Sequence, residues 1–310
     1  MKKKILVTGG SGFIGSAVTK YLVNCGHEVS VFDNNSRGRL RRLKDLKKKI
    51  KFFKGDIRDL KKLNSINGNY DCVVHLAYVN GTKNFYKKPF EILDIAVAGL
   101  LNVFKFCQKK KVKSFYLASS SEVYQNPNKF PTNESEMLKI PDIHNPRYSY
   151  GGGKIFSELY GVHFAKKYFK KFIIFRPHNV YGYDMGNDHV IPEFIRRFRK
   201  IGNKKKFLIY GTGQEERSFI HIDDFISGFD KVFRKGKNSE IYNIGTTEKI
   251  KISKLAHLIA KIQNKSIKFQ KTKILKGSPS KRCPDISKIK KLGFKQKITL
   301  KDGITKLLNR

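Results

Sequence analysis

Eleven residues near the start of the chain, Ile5-Leu-Val-Thr-Gly-Gly-Ser-Gly-Phe-Ile-Gly15, constrain the fold more than any other segment. They read as a short strand, a glycine-rich turn and the first turn of a helix. The run satisfies G-x-G-x-x-G from Gly10 and G-x-x-G-x-x-G from Gly9. Glycine is needed where the chain turns tightly and where a pyrophosphate must approach backbone with no Cβ in the way. The helix that follows offers unpaired N–H groups and the positive end of its dipole to phosphate.

The pattern downstream fits that start. Lys4–Thr8, Glu28–Phe32, Lys51–Lys54, Cys72–Leu76, Ser114–Ala118 and Phe172–Phe175 read as strands. Amphipathic segments lie between them, including Phe13–Asn24, Phe90–Lys109 and Lys154–Tyr168. Such alternation predicts an α/β chain, a Rossmann doubly wound parallel sheet. After about residue 178 the pattern becomes irregular. A helix at Ile191–Arg199, a strand at Phe207–Tyr210 and helices at Asp223–Phe233, Ile252–Gln263 and Leu300–Leu308 are expected there. We read 1–178 as a dinucleotide-binding domain, with 214–245 returning to it, and 179–310 as mainly a smaller, interleaved α/β substrate lobe.

Composition removes several functional classes. The net charge is +40, with basic runs at Arg37–Lys54, Lys109–Lys113, Arg196–Lys206 and Lys261–Lys276. Lysines are spread through the whole chain and no nucleic-acid module is recognisable. They therefore read as solvated faces whose field attracts anionic small molecules, and no nucleic-acid partner is expected. No apolar run approaches the roughly 20 residues of a bilayer span, and the N-terminus lacks a signal-peptide pattern. A cytoplasmic enzyme with no membrane partner is the expectation. Cys25, Cys72, Cys107 and Cys283 are far apart, so neither a disulfide framework nor a metal site is expected.

Asp33 ends the second strand, 18 residues after Gly15. A carboxylate there accepts hydrogen bonds from a ribose diol and repels a 2′-phosphate, which favours NAD over NADP; Arg37 and Arg39 lie close by. Gly55-Asp56-Ile57, after the third strand, is placed to meet the adenine edge. Tyr150 and Lys154 stand four residues apart, on one face of a helix. A phenol with a reference pKa near 10 is a poor base at neutral pH. An ammonium about 4 Å away would contribute roughly 4 kcal/mol at a dielectric of 20, equivalent to about three pK units before desolvation. Tyr150 could then take a hydroxyl proton as hydride leaves the same carbon. Ser120, in Leu117-Ala-Ser-Ser-Ser-Glu-Val-Tyr124, sits at the C-terminal end of a strand, where it could share that proton.

Together with His75-Leu-Ala77, Arg176-Pro-His-Asn-Val-Tyr-Gly182, Gln214–Asp224 and Arg282-Cys-Pro-Asp-Ile-Ser-Lys288, these motifs resemble the extended short-chain dehydrogenases. The closest resemblance is to the NAD-dependent nucleotide-sugar epimerase/dehydratase family. It implies Ser120, Tyr150 and Lys154 as the catalytic set. It implies Gly9, Gly12, Phe13, Ile14, Gly15 and Asp33 at the dinucleotide, with Asp56, Ile57, Leu76, Ala77 and Pro177 lining that site and Lys154 on the nicotinamide ribose. Asn179, Arg217 and Arg282 are implied at the nucleotide sugar, the arginines as forks for its diphosphate.

Three features depart from the pattern. Ala96 stands where the family often has asparagine. Gly151-Gly152-Gly153 occupy the catalytic helix, weakening it by roughly 2–3 kcal/mol. Ser121-Glu122 resembles the uronic acid decarboxylases, whereas 4,6-dehydratases show Asp-Glu and simple 4-epimerases usually lack an acid there. Glu122 thus joins the catalytic candidates. All these chemistries begin with C4 oxidation. Dehydration lacks its acid, and the arginine that would hold a uronate carboxylate is not located by spacing. A 4-epimerase needs the fewest special groups and is the expected activity. The alternatives are dehydratase, decarboxylase, net C4 dehydrogenase or a catalytically silent NAD-binding regulatory protein. The apolar faces of Phe90–Lys109 and Lys154–Tyr168 would permit a homodimer built through a four-helix bundle.

Overall fold

Six short apolar strands of the first half pair in register, all parallel: β1 (Lys4–Thr8), β2 (Glu28–Asp33), β3 (Ile50–Lys54), β4 (Cys72–His75), β5 (Ser114–Ala118) and β6 (Lys171–Pro177). A seventh strand, Glu240–Ile244, joins the β6 edge in parallel, so the order across the sheet is 240–244, β6, β5, β4, β1, β2, β3. This is the Rossmann doubly wound sheet expected from the alternation. The computed structural model describes residues 1–186, 189–201, 206–266, 268–271, 277 and 279–309. Parts of the basic runs 196–206 and 261–276 lie outside the described residues.

Alternate residues of each strand enter opposite cores. Ile5, Val7, Val29, Val31, Val74 and Phe175 pack against Val18 and Leu22 of helix Phe13–Asn24 and Phe225, Phe229 and Val232 of helix Ile222–Lys235. Leu6, Val73, Phe115, Leu117 and Ile174 pack on the other face against Leu100, Val103 and Phe104. Burial on both faces explains why the strands read as continuous apolar runs. Strand order reverses between β1 and β4, which opens a crevice at their carboxyl ends.

Three boundaries differ from expectation. Phe90–Lys109 is not one regular helix. It runs Pro89–Asp94, then a wide π turn Ile95–Gly99, then Leu100–Lys109, with Gly99 lying against Ile57. The catalytic helix begins at Tyr148 and continues to Tyr168 through the three glycines. Strand 240–244 was not read from the sequence because buried Asn243 interrupts its apolar run. The Asn243 amide donates to Thr132 O at 3.1 Å, which compensates its burial.

The smaller core joins helices Val190–Lys200, Ile252–Ile262 and Leu300–Leu308 through Phe194, Phe198, Leu255, Ile259 and Ile304. Beside it, strand Glu216–Ser218 pairs antiparallel with Lys249–Lys251 and parallel with Lys281–Arg282. Arg217 and Arg282 are register partners in that ladder. Among the described residues no helix is long and apolar enough to cross a membrane.

Candidate active site

The glycine-rich turn is shaped by clashes that any larger residue would create. Gly9 has φ +73°, and a Cβ on it would stand 2.6 Å from Ala77 N. A Cβ on Gly15 would meet Gly9 O at 2.0 Å, so helix Phe13–Asn24 can start this close to β1 only with glycine at 15. Gly12 is the helix N-cap, without a side-chain cap, and the nearest atom to a Cβ there is Gly9 O at 3.2 Å. The helix therefore presents its N-terminus over bare backbone, a cradle that fits a dinucleotide pyrophosphate. Phe13 and Ile14 form the first turn, Phe13 reaching Gly182 and Ile14 packing on the core.

Asp33 lies at the tip of β2, almost fully buried. Its carboxylate accepts from Ser11 N at 2.9 Å and Asn35 N at 2.8 Å, which ties the glycine loop to the β2 end. Asp33→Asn is expected to improve binding of the 2′-phosphorylated dinucleotide relative to NAD by about 10- to 100-fold, since a negative charge near the phosphate is removed. The ratio of the two dissociation constants checks this, and an unchanged ratio would place the ribose elsewhere. Arg39, by contrast, points away to Asp184, with Arg41 and Arg42.

Asp56 accepts from Arg58 and from Asn34 Nδ2. The Arg58 hydrogen bonds hold its carboxyl down at about 2 against the opposing effect of burial. Ile57 turns its side chain into the core, while Asn102 Nδ2 donates to the carbonyls of Ile57 and Arg58 at 3.2 and 2.8 Å. Whatever meets this loop therefore meets its backbone and the Asp56–Asn34 edge. Leu76 and Ala77 leave β4 beside the cradle, Leu76 N donating to Thr8 O at 3.0 Å. Pro177 ends β6.

The catalytic helix puts Tyr150 and Lys154 on one face, both buried. Among the described residues the Lys154 ammonium makes its hydrogen bond to backbone and not to the Tyr150 phenol. Lys154 Nζ donates to Ala118 O at 2.7 Å, stands 3.9 Å from the Tyr78 ring centroid and lies 6.0 Å from that of Tyr150. Burial, which the four-residue spacing cannot report, dominates both groups. It pushes the Tyr150 phenol up to about 12, with the Ser120 hydroxyl drawing it back, and lowers Lys154 to about 7 against the pull of Glu158. The four-residue spacing thus gives the shared helix face, while desolvation, which that spacing leaves out, sets the direction of both shifts.

Ser120 caps the turn after β5, its Oγ accepting from Glu122 N at 3.2 Å. Ser121 is buried. Glu122 accepts from Arg282 Nη1 at 2.8 Å. Burial opposes its ionisation, but Arg282, Arg147 and Arg217 together outweigh that effect and hold Glu122 below the usual carboxylate range. Arg217 Nη1 donates to Glu216 O at 2.8 Å and its Nη2 to Pro279 O at 2.7 Å. Desolvation and the neighbouring Arg282 lower the Arg217 guanidinium to about 10. Asn179 Nδ2 donates to Ser218 O at 2.9 Å, bracing that same strand.

Arg147 escaped the sequence reading. It precedes the catalytic helix and is 7% exposed, and its only sequence signal is an arginine three residues before Tyr150. Arg147 Nε and Arg282 Nε and Nη2 are buried and have no partner among the described residues. Such groups signal an anionic ligand, because a buried cationic donor left unpaired is costly.

Residues 5–245 match the NAD dependent epimerase/dehydratase family. A dTDP-D-glucose 4,6-dehydratase of Dictyostelium discoideum is 34% identical over 79% of this chain, which spans 58% of that relative's length. A UDP-N-acetyl-alpha-D-glucosaminuronate decarboxylase of Bacillus cytotoxicus is 30% identical over 94% of this chain and 92% of its own. Among solved structures, the UDP-glucose 4-epimerase of Thermotoga maritima with UDP-glucose superposes with a TM-score of 0.88 at 28% identity, covering 99% of this chain and 97% of that one.

Proposed function

The chain belongs to the NAD-dependent epimerase/dehydratase family, and on that footing we propose that it oxidises C4 of a nucleotide-diphosphate sugar bearing a C6 carboxylate, which then leaves as CO2. Arg147 carries this reading. Arg217 and Arg282 suffice for a diphosphate, whereas a third arginine, beside the catalytic helix start and with an unpaired buried nitrogen, answers to a further anion. The C6 carboxylate supplies that anion.

Gly9, Gly12 and Gly15 would cradle the pyrophosphate of NAD, Asp33 its adenosine ribose and Lys154 its nicotinamide ribose. When bound, NAD supplies a reversible acceptor for the C4 hydrogen and a positive ring near the phenol. Tyr150 takes the C4 hydroxyl proton, with Ser120 sharing it. Lys154 contributes positive charge, which lowers the cost of a buried phenolate. The C4 ketone then stands β to the carboxylate. The C5–C6 bond breaks, its electron pair moves into the C4 carbonyl as an enolate, and CO2 departs. Ser120 and Tyr150 donate to the enolate oxygen, C5 takes one proton from water, and reduction at C4 restores the alcohol. Glu122 is held ionised, so it is no proton donor. It fixes Arg282, and as neutral CO2 leaves, the carboxylate's negative charge passes to the C4 oxygen.

The same ionisation weakens the dehydratase reading, which needs an acid for the C6 hydroxyl that neither Glu122 nor buried Ser121 provides. Epimerisation at C4 is the second reading. It is supported by the Ser120–Tyr150 pair, which suffices for it without Glu122. Glu122→Gln and the wild type's choice of substrate separate the two. We expect the variant to lose CO2 release from UDP-glucuronate by about 10²-fold, the scale on which a misplaced binding group, here Arg282 freed from its carboxylate, slows a reaction. CO2 release that survives in the variant would remove Glu122 from the reaction, and UDP-glucose/UDP-galactose interconversion by a wild type inert toward UDP-glucuronate would transfer the assignment to epimerase.

The exposed apolar side chains Phe90, Leu93 and Val97 lie on the segment packed against the catalytic helix, whose Leu159 and Tyr160 are also exposed. This face supports pairing of two copies.

A further inference from the structure

We infer that Tyr78 is a positioning residue for Lys154: its ring face, together with the Ala118 carbonyl, holds the lysine ammonium in a slot that Gly153 and Ala96 leave open. The Lys154 Nζ stands 3.9 Å from the Tyr78 centroid, well inside cation–π range, while donating to Ala118 O at 2.7 Å. The slot is cut to the ring. A Cβ on Gly153 would fall 2.2 Å from Tyr78 Oη and 2.7 Å from Ala96 Cβ, so any larger residue at 153 would expel Tyr78. Tyr78 also meets Tyr150 edge-on, with centroids 5.1 Å apart and planes at 88°.

The hydroxyl of Tyr78 is not the working part. It is buried with no partner among the described residues, although a buried tyrosine hydroxyl usually finds one. Burial drives its ionisation far up, so it offers Lys154 no counter-anion. What remains is the quadrupole of the ring. The other groups facing Lys154 are few. Glu158, one turn further along the same helix, favours its charge, but Arg176 neutralises Glu158 by a two-pronged ion pair. His75, at the end of β4, is kept neutral, its pKa lowered by burial to about 3. Burial holds the Tyr150 phenol above its ordinary value, so it too offers Lys154 no counter-anion until further positive charge stands beside it. Burial lowers Lys154 to about 7 and Glu158 raises it, and the ring face at 3.9 Å adds to what favours the charged amine.

This gives Gly153 its purpose in the catalytic helix: the helix propensity lost there admits Tyr78 beside the ammonium, while Gly151 admits Gln125, whose Nε2 would lie 2.4 Å from a Cβ there.

The test is a heteronuclear NMR titration of the Lys154 amine in the full-length protein. Its signal is recognised by a midpoint near neutrality and by its loss in Lys154→Arg. Tyr78→Phe keeps the ring and should keep the midpoint. Tyr78→Leu should move it down by about one pH unit, because a ring face favours the charged amine and its removal favours the neutral one. Should the leucine variant not fold, phenylalanine and pentafluorophenylalanine at position 78 have nearly the same shape and differ in ring quadrupole. A lower midpoint with the fluorinated ring supports the assignment, and an identical one overturns it.

Discussion

Tyr150→Phe is expected to lower kcat by about 10³-fold, within the range of a general acid–base group, while NAD affinity and melting temperature stay near those of the parent. The separation follows from how the ring is held. Phe85 stacks on it at 4.8 Å with planes 20° apart, and Tyr78 closes its other side edge-on. Phenylalanine keeps both contacts and loses only the oxygen, which on the proposed function takes the C4 hydroxyl proton. The phenol's upward shift to about 12 sharpens the expectation, since its proton moves only when positive charge stands close by. Single-turnover kinetics alongside a direct measurement of NAD binding would check it. A variant that turns over normally would remove Tyr150 from the chemistry.

Glu158→Ala should cost about 3–5 kcal/mol of folding stability, the range for stripping one partner from a buried ion pair. Arg176 donates to the two Glu158 oxygens at 2.8 and 2.5 Å, and both side chains are nearly inaccessible. Without the carboxylate, a guanidinium is stranded between the catalytic helix and β6, with Tyr124 Oη and Glu134 O as its remaining partners. Pairing Glu158→Leu with Arg176→Met should recover most of the loss, because a well-packed apolar pair avoids the desolvation cost altogether. Denaturant unfolding of the three proteins gives the answer. A single-variant cost below about 1 kcal/mol would mean that water reaches the guanidinium.

Local requirements were legible in the chain before its structure. The glycines at 9, 12 and 15 answer to sterics within one turn, the first six strands to apolar runs buried on two faces, and Tyr150 and Lys154 to helical spacing. What escaped depends on residues distant in sequence. Arg147 matters because the ladder holding Arg217 and Arg282 closes over Glu122. Tyr78 matters because Gly153 lies under it. Strand 240–244 hides its nature behind Asn243, whose partner Thr132 is more than a hundred residues away. The size of the desolvation at Tyr150 and Lys154 escaped for the same reason: spacing along a helix says how near two groups can be, and nothing about how dry their surroundings become.

The register pairing of residues 217 and 282 has a consequence for substrate choice. On the proposed function, proton-handling groups would come from the β5 end and the catalytic helix, whereas much of the grip on the substrate's diphosphate would be built on a short ladder assembled from later segments of the chain. A change in the ladder would then alter which diphosphate-linked group is held without disturbing the machinery that makes and unmakes the ketone.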